Sequence, residues 1–261
     1  MASITLRDAL LRGKRRPRRF GAGSPTTYRG DGYEFVELRA YVPGDDVRRI
    51  DWAATARAGD LQTRVVLEDV ALTLAALIDD SASMRVGRKR PLLDAAGEAV
   101  ELWYGSARGG DRVLRVGPEC VVRPGAPIDV RFDLERTLLT ARAVLPRGAA
   151  LLAISDWFDL SERHHDLLAS LASRCDCTAL VARDPWYDGL GLSGFVRIRG
   201  AESGHARLWI GARERRAFAA AVRAREAELH STFASLGWRT GMLEEHDGVA
   251  GLLDAFGLNF I

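Results

Sequence analysis

The chain is short of cysteine, of net charge and of long apolar runs, and each shortage closes off a class of function. Only three of its 261 residues are cysteine, Cys120, Cys175 and Cys177. An odd number cannot pair off, and two cysteines separated by one residue in a strand do not bridge readily, so a reducing, cytoplasmic compartment is expected. Lys and Arg total 37 against 35 Asp and Glu, a formal charge of +2, so the molecule as a whole has no field to gather a polyanion. No apolar run approaches the roughly 18 residues of a membrane span, and the first 20 residues carry arginines where a signal peptide carries its apolar core. A soluble protein without a transmembrane segment is expected. No Gly-x-x-x-x-Gly-Lys-Ser/Thr loop is present, Gly21-x-Gly23 precedes no helix, and Ser155 lacks the Gly-x-Ser-x-Gly surroundings of a nucleophile elbow. The five histidines are scattered, with His164 and His165 expected on an exposed helix and His205, His230 and His246 far apart. Nucleotide hydrolysis by this chain alone and serine-nucleophile chemistry therefore have no sequence support.

What is there falls into three parts: a basic arm at 1–20, a turn-rich segment at 21–69 and an α/β region at 70–261. The arm has helical spacing at Ile4, Leu6, Leu10 and Leu11 and then runs into Lys14-Arg15-Arg16-Pro17-Arg18-Arg19. Two readings stand, an adhesive patch for an anionic surface and a solvated, mobile arm. No aromatic residue interleaves with these cations, which argues against a specific nucleic-acid partner. Residues 21–69 are punctuated by Gly21, Gly23, Pro25, Gly30, Gly32, Pro43, Gly44 and Gly59. A strand is expected over 33–41, a helix capped by Asp45 or Asp46 and closed by Gly59, and a second strand over 61–68.

The third part opens on Val70-Ala-Leu-Thr-Leu-Ala-Ala-Leu-Ile-Asp79-Asp80-Ser81-Ala-Ser83-Met84, an apolar run stopped by carboxylates and hydroxyls. That pattern fits a buried strand of a parallel sheet ending in an oxygen cluster, and ligand sites in open α/β sheets lie at such ends. Helical spacing recurs over 91–104, 133–144, 160–173, 212–236 and 249–256, and strands are expected over 111–122, 149–155, 177–181, 195–199, 206–210 and 238–243. Strands alternating with helices indicate a doubly wound, mostly parallel α/β sheet. The strand at 149–155 places Asp156 at a second strand end.

The runs Gly30-Asp-Gly32-Tyr-Glu34-Phe35, Leu38-Arg39-Ala-Tyr41-Val-Pro43-Gly44-Asp45-Asp46-Val-Arg48-Arg49-Ile50-Asp51-Trp52 and Thr55-Ala56-Arg57-Ala-Gly59 closely resemble the signature of the bacterial proteins called domain of unknown function 58. The resemblance is strong over 21–84 and looser beyond. It implies a von Willebrand factor A-like fold with an N-terminal β-rich extension, and a partner among the MoxR-type AAA+ ATPases. In physical terms the signature implies a buried Trp52, with Arg39, Arg49 and Arg57 pairing with Glu34, Asp45 or Asp51.

Within that likeness Asp79-x-Ser81-x-Ser83 matches the first motif of a metal-ion-dependent adhesion site, and Asp156 matches its distant aspartate. Such oxygens are hard ligands suited to Mg²⁺ or Mn²⁺. The resemblance also calls for a threonine in the loop before the helix at 133–144. That loop reads Arg123-Pro-Gly-Ala-Pro-Ile-Asp129 instead, while Thr137 and Thr140 fall within the helix. Without an ion, Asp79, Ser81 and Ser83 would cap backbone amides. The expected function is a non-enzymatic protein-protein interaction module that grips a partner's carboxylate through the ion. The alternative is a metal-dependent phosphoryl-transfer or hydrolytic enzyme using Asp79, Asp80 and Asp156.

Overall fold

The computed structural model describes residues 5–15, 33–43, 45, 47–68, 71–188, 192–199 and 204–258. Arg16 to Arg19, most of the basic run, and the signature glycines Gly30 and Gly32 lie outside them. The chain forms two compact units, one of residues 1–17 with 72–261 and one of residues 18–71.

The N-terminal segment is a helix, α1 (Leu6–Arg15), that belongs to the larger unit. Leu6 and Leu10 are buried, and Arg7 forms an ion pair with Asp111 in which both side chains are sequestered. Leu6, Arg7, Leu10 and Leu11 are therefore built into the α/β unit and do not belong to a solvated arm. Sequence reading found the apolar stripe and missed the partner, 104 residues away.

The smaller unit pairs β1 (Tyr33–Ala40) antiparallel with β2 (Gln62–Glu68) around a short helix, α2 (Trp52–Ala58). Its cap is Asp51, whose carboxylate accepts from Ala54 N–H at 3.0 Å, and not Asp45; Asp46 lies outside the described residues. A 3₁₀ turn over Val47–Arg49 intervenes and moves the helix start downstream. Gly59 closes the helix at φ 81°, a left-handed position that suits glycine. Arg39 pairs with Asp45 at 2.7 Å as expected, whereas Asp51 pairs with Arg64 at 2.8 Å. Trp52 is 68 % exposed, which overturns its expected burial: at the first helical position it faces away from Ala54, the buried residue of that helix.

The larger unit continues with β3 (Thr73–Ile78), α3 (Leu92–Gly105), β4 (Arg112–Val116), β5 (Val121–Val122), α4 (Leu134–Val144), β6 (Ala150–Ser155), α5 (His165–Arg174), β7 (Asp176–Ala182), the hairpin β8 (Gly194–Arg199) and β9 (His205–Ile210), then α6 (Ala212–Ser235), β10 (Arg239–Leu243) and α7 (Ala250–Ala255). Six strands form one sheet in the order β10-β7-β6-β3-β4-β5, parallel throughout except for β5 at its edge. The expected mixed α/β architecture with a mostly parallel sheet is what forms.

Strand alternation divides the core between the sheet faces. Ala75, Leu77, Leu151 and Ala153 pack with Leu138 of α4, Leu168 and Leu171 of α5 and Phe233 of α6. Leu74, Ala76, Leu152 and Ile154 pack with Leu6 and Leu10 of α1, Ala96 and Trp103 of α3 and Leu252 of α7. β3 and β6 are covered on both faces, which is why both read as unbroken apolar runs. Cys175 and Cys177 are buried members of the first cluster.

Candidate functional site

β3 leads through α3 to β4 on one side of the sheet, and β6 leads through α5 to β7 on the other. Neighbouring strands whose connections leave in opposite directions open a crevice at their carboxyl ends. Asp79 follows β3 and Ser155 closes β6, so the crevice is lined with the oxygen cluster.

Asp79 is nearly buried, and its N–H extends the ladder to the Ile154 carbonyl at 2.9 Å. Its Oδ1 accepts from Ser81 N–H at 2.9 Å and its Oδ2 from the Ser155 hydroxyl at 2.7 Å. The Ser155 oxygen in turn accepts from Trp157 N–H at 3.0 Å. Ser81 Oγ and Ser83 Oγ lie 2.9 Å apart, and Asp156 Oδ1 accepts from Phe158 N–H at 2.9 Å. Burial pushes the Asp79 carboxyl above its usual range, the bonds from Ser81 and Ser155 pull it back, and the Asp156 charge adds to the rise. Asp79, Ser81, Ser83 and Asp156 are thus gathered at one sheet edge, with the two carboxylates within electrostatic reach.

The donor set can be tested against a hard cation. Oxygens bound to Mg²⁺ at about 2.0–2.1 Å sit about 2.8–3.0 Å apart along an octahedral edge. The Ser81 and Ser83 hydroxyls have that separation, at which they are hydrogen-bonded to each other. Asp79 Oδ1 takes the Ser81 N–H and Oδ2 the Ser155 hydroxyl, and the Ser81 side chain also bonds the carboxylate. Against this, among the described residues no group of three or more His, Cys, Asp or Glu could hold a metal ion. Threonine does not fill the gap. The Thr137 hydroxyl donates to the Asp133 carbonyl at 2.5 Å inside the core, and Thr140 donates to the Pro118 carbonyl at 2.8 Å. Hydroxyls, at most two carboxylates and water would have to suffice.

The turn after β6 carries local strain. Trp157 has φ 55°, a left-handed backbone that a bulky residue adopts at a cost of about 1–3 kcal/mol. It is held there by the Ser155 hydroxyl, by an indole N–H bond to the Leu180 carbonyl at 3.1 Å and by an edge contact with Phe233 at 4.7 Å between ring centres. The turn leaves Phe158 73 % exposed, with the Arg225 guanidinium 5.4 Å from its ring centre. The loop after Asp79 is pinned from the far side of the sheet: Glu245, just past β10, accepts from Arg88 N–H at 2.6 Å and Lys89 N–H at 3.2 Å. Arg90 grips the Glu245 carbonyl and both oxygens of Glu98.

Sequence reading missed three participants. Ser155 is the buried donor that holds Asp79, and its signal was its place beside Asp156 at a strand end. Asp184, read only as part of an Asp-Pro turn, stands past β7, where burial raises its pKa; Trp186 N–H and Arg88 oppose the rise, while Glu245 and Asp156 reinforce it. Glu245 had no local signal, because its partners lie 156 and 157 residues away. The expectation of an exposed His164 is overturned. Its ring is buried and accepts at Nδ1 from Ser161 N–H at 3.1 Å, a capping role at the turn leading into α5.

Comparison with known proteins adds a family. Residues 37–116 match the family described as "Protein of unknown function DUF58". Uncharacterized proteins of Mycobacterium bovis and Mycobacterium tuberculosis are 32 % identical over 235 residues, which span 80 % of this chain and 73 % of theirs. Among solved structures, the conserved hypothetical protein BatB of Bacteroides thetaiotaomicron aligns over 64 % of this chain and 98 % of its own at 11 % identity and a TM-score of 0.37. An aerotolerance-related membrane protein of Bacteroides fragilis aligns over 62 % and 100 % at 16 % identity and a TM-score of 0.35. Likenesses at these scores are too slight to bear on fold or function.

Proposed function

The chain belongs to the DUF58 family, and from that premise we propose that it is a non-enzymatic interaction module of von Willebrand factor A-like type. It recognises an acidic side chain of a partner through a divalent ion, Mg²⁺ or Mn²⁺, bound by Asp79, Ser81, Ser83 and Asp156. The observation that carries the reading is the pair of hydroxyls 2.9 Å apart beside a buried carboxylate at the crevice between β3 and β6. The protein groups fill only part of an octahedron, which leaves positions for water and for a carboxylate from outside. A divalent charge would also relieve the repulsion between Asp79 and Asp156. Hydrolytic chemistry has less support, since the Ser155 hydroxyl that donates to Asp79 is 2 % exposed and out of reach of a substrate. The partner suggested by the family resemblance is a MoxR-type AAA+ ATPase, and the cytoplasm is the compartment this reading implies for a chain with an odd number of cysteines.

Two measurements test it. Calorimetric titration with Mg²⁺ and Mn²⁺ should show one site that Asp79→Ala abolishes while circular dichroism stays unchanged. Capture of a purified MoxR-type ATPase by the immobilised chain should require both the ion and Asp79. Capture indifferent to both, or turnover of a phosphoester that depends on Asp79, would overturn the proposal.

A further inference from the structure

The hairpin of β8 and β9 carries an outward surface that the crevice does not use. Pairing sets Phe195 opposite Trp209 and Arg197 opposite Arg207. Alternate residues of a strand share a face, so these four lie on one side together with His205. Phe195 is 87 % and Trp209 57 % exposed, with ring centres 4.9 Å apart in an edge-to-face contact. Arg197, Arg207 and His205 are exposed as well. Neither strand contains an acidic residue, and Glu214, which follows the hairpin, is committed to Gly211 N–H at 2.9 Å. On the other face Ile210 is buried and Val196 half-buried, while Leu208 is 49 % exposed, so the ribbon is anchored to the body at its Ile210 end.

Two large rings left in water beside cations that have no acidic neighbour within either strand suit a ligand that offers flat π-surfaces and negative charge at regular intervals. We propose that this face binds single-stranded nucleic acid without sequence preference, with bases stacking on Phe195 and Trp209 and backbone phosphates meeting Arg197 and Arg207. The order of residues along the ribbon disfavours a lipid surface. The aromatic row lies next to buried Ile210, where the hairpin joins the body, and the arginines lie toward the turn. A membrane-inserting hairpin needs the reverse, rings at the tip and cations behind them at headgroup depth. An acidic protein would use the arginines and leave the aromatic row without a role.

The test is fluorescence anisotropy of labelled oligothymidylate and oligouridylate titrated with the full chain, over a series of salt concentrations. Saturable binding is expected with both. Phe195→Ala and Trp209→Ala should each raise Kd about 5- to 140-fold, the equivalent of about 1–3 kcal/mol for one aromatic–base stack. Trp209→Phe should retain most of the affinity. The Arg197→Ala/Arg207→Ala double variant should flatten the slope of log K against log salt by about 1.4, at about 0.7 per phosphate contact. Asp79→Ala should leave the oligonucleotide Kd unchanged, which separates this surface from the crevice. No saturable binding at low salt, or binding that survives loss of both rings, overturns the inference. So does sedimentation with phosphatidylserine vesicles that depends on the same residues while oligonucleotides fail to bind.

Discussion

Replacing Ser155 with alanine removes one oxygen that serves two buried partners. Its hydroxyl donates to Asp79 Oδ2 at 2.7 Å and accepts from Trp157 N–H at 3.0 Å. A bond to a charged group contributes about 1.5–3 kcal/mol, and an orphaned buried N–H costs about 1–3 kcal/mol. The two losses share an atom and are not fully additive, so a destabilisation of about 3 kcal/mol is expected, and with it a looser clamp on the left-handed Trp157. At a urea m-value of about 3 kcal/mol/M, the midpoint should fall by about 1 M. The effect should also depend on pH in a definite sense. The folded pKa of Asp79 is raised above its unfolded value, so its charge costs stability at neutral pH, and that cost disappears as pH falls through the folded pKa. The Ser155 bond favours the charged form; without it the folded pKa rises further. The gap between variant and wild type should therefore be widest near neutrality and should narrow on acidification. Ser155→Thr, which keeps the hydroxyl, should recover most of the loss. A midpoint shift in Ser155→Ala that is small at neutral pH, or one equally large in acid, would refute this account of the strand end.

Arg7→Ala should destabilise the larger unit by about 3–5 kcal/mol, the usual consequence of leaving one member of a buried ion pair behind, as read by chemical denaturation. Burial alone would raise the Asp111 pKa, but the Arg7 bond and the Arg108 and Leu72 N–H groups outweigh it and hold the carboxyl low. Its contribution is present above the unfolded value near 3.8 and should be lost as pH falls below it. His164 is held below its ordinary pKa by burial and by Arg163, so the folded state disfavours its proton. Its contribution is full above the unfolded value near 6.5 and should fade as pH drops below it, and His164→Gln should flatten the thermal-melting profile across that window.

Periodicity located most elements of the sheet because burial on two faces writes itself into sequence as unbroken apolar runs. β3 and β6 were legible for that reason, as was the oxygen cluster after each. What escaped was set by partners distant in sequence. Whether Arg7 is solvated or buried depends on Asp111. Whether the loop after Asp79 is slack or fixed depends on Glu245. His164 reads as one more polar residue on a helix until Ser161 and the core close around it. Trp52 erred in the opposite direction: a large aromatic inside a dense signature suggested core, yet the unit around it turns that residue outward. Composition assigns residues to inside or outside on average, and each of these positions departs from the average through a particular neighbour.

The docking of α1 carries a consequence for the order of events during synthesis. Arg7 and Asp111 are 104 residues apart. A ribosome adding about 5–20 residues per second therefore exposes the helix for roughly 5–20 s before its counter-ion emerges. Throughout that interval Leu6 and Leu10 have no sheet to cover and Arg7 has no carboxylate to meet. The N-terminal helix thus waits as a nascent, sticky amphipathic segment, and its engagement should be among the late steps in which the α/β unit becomes native.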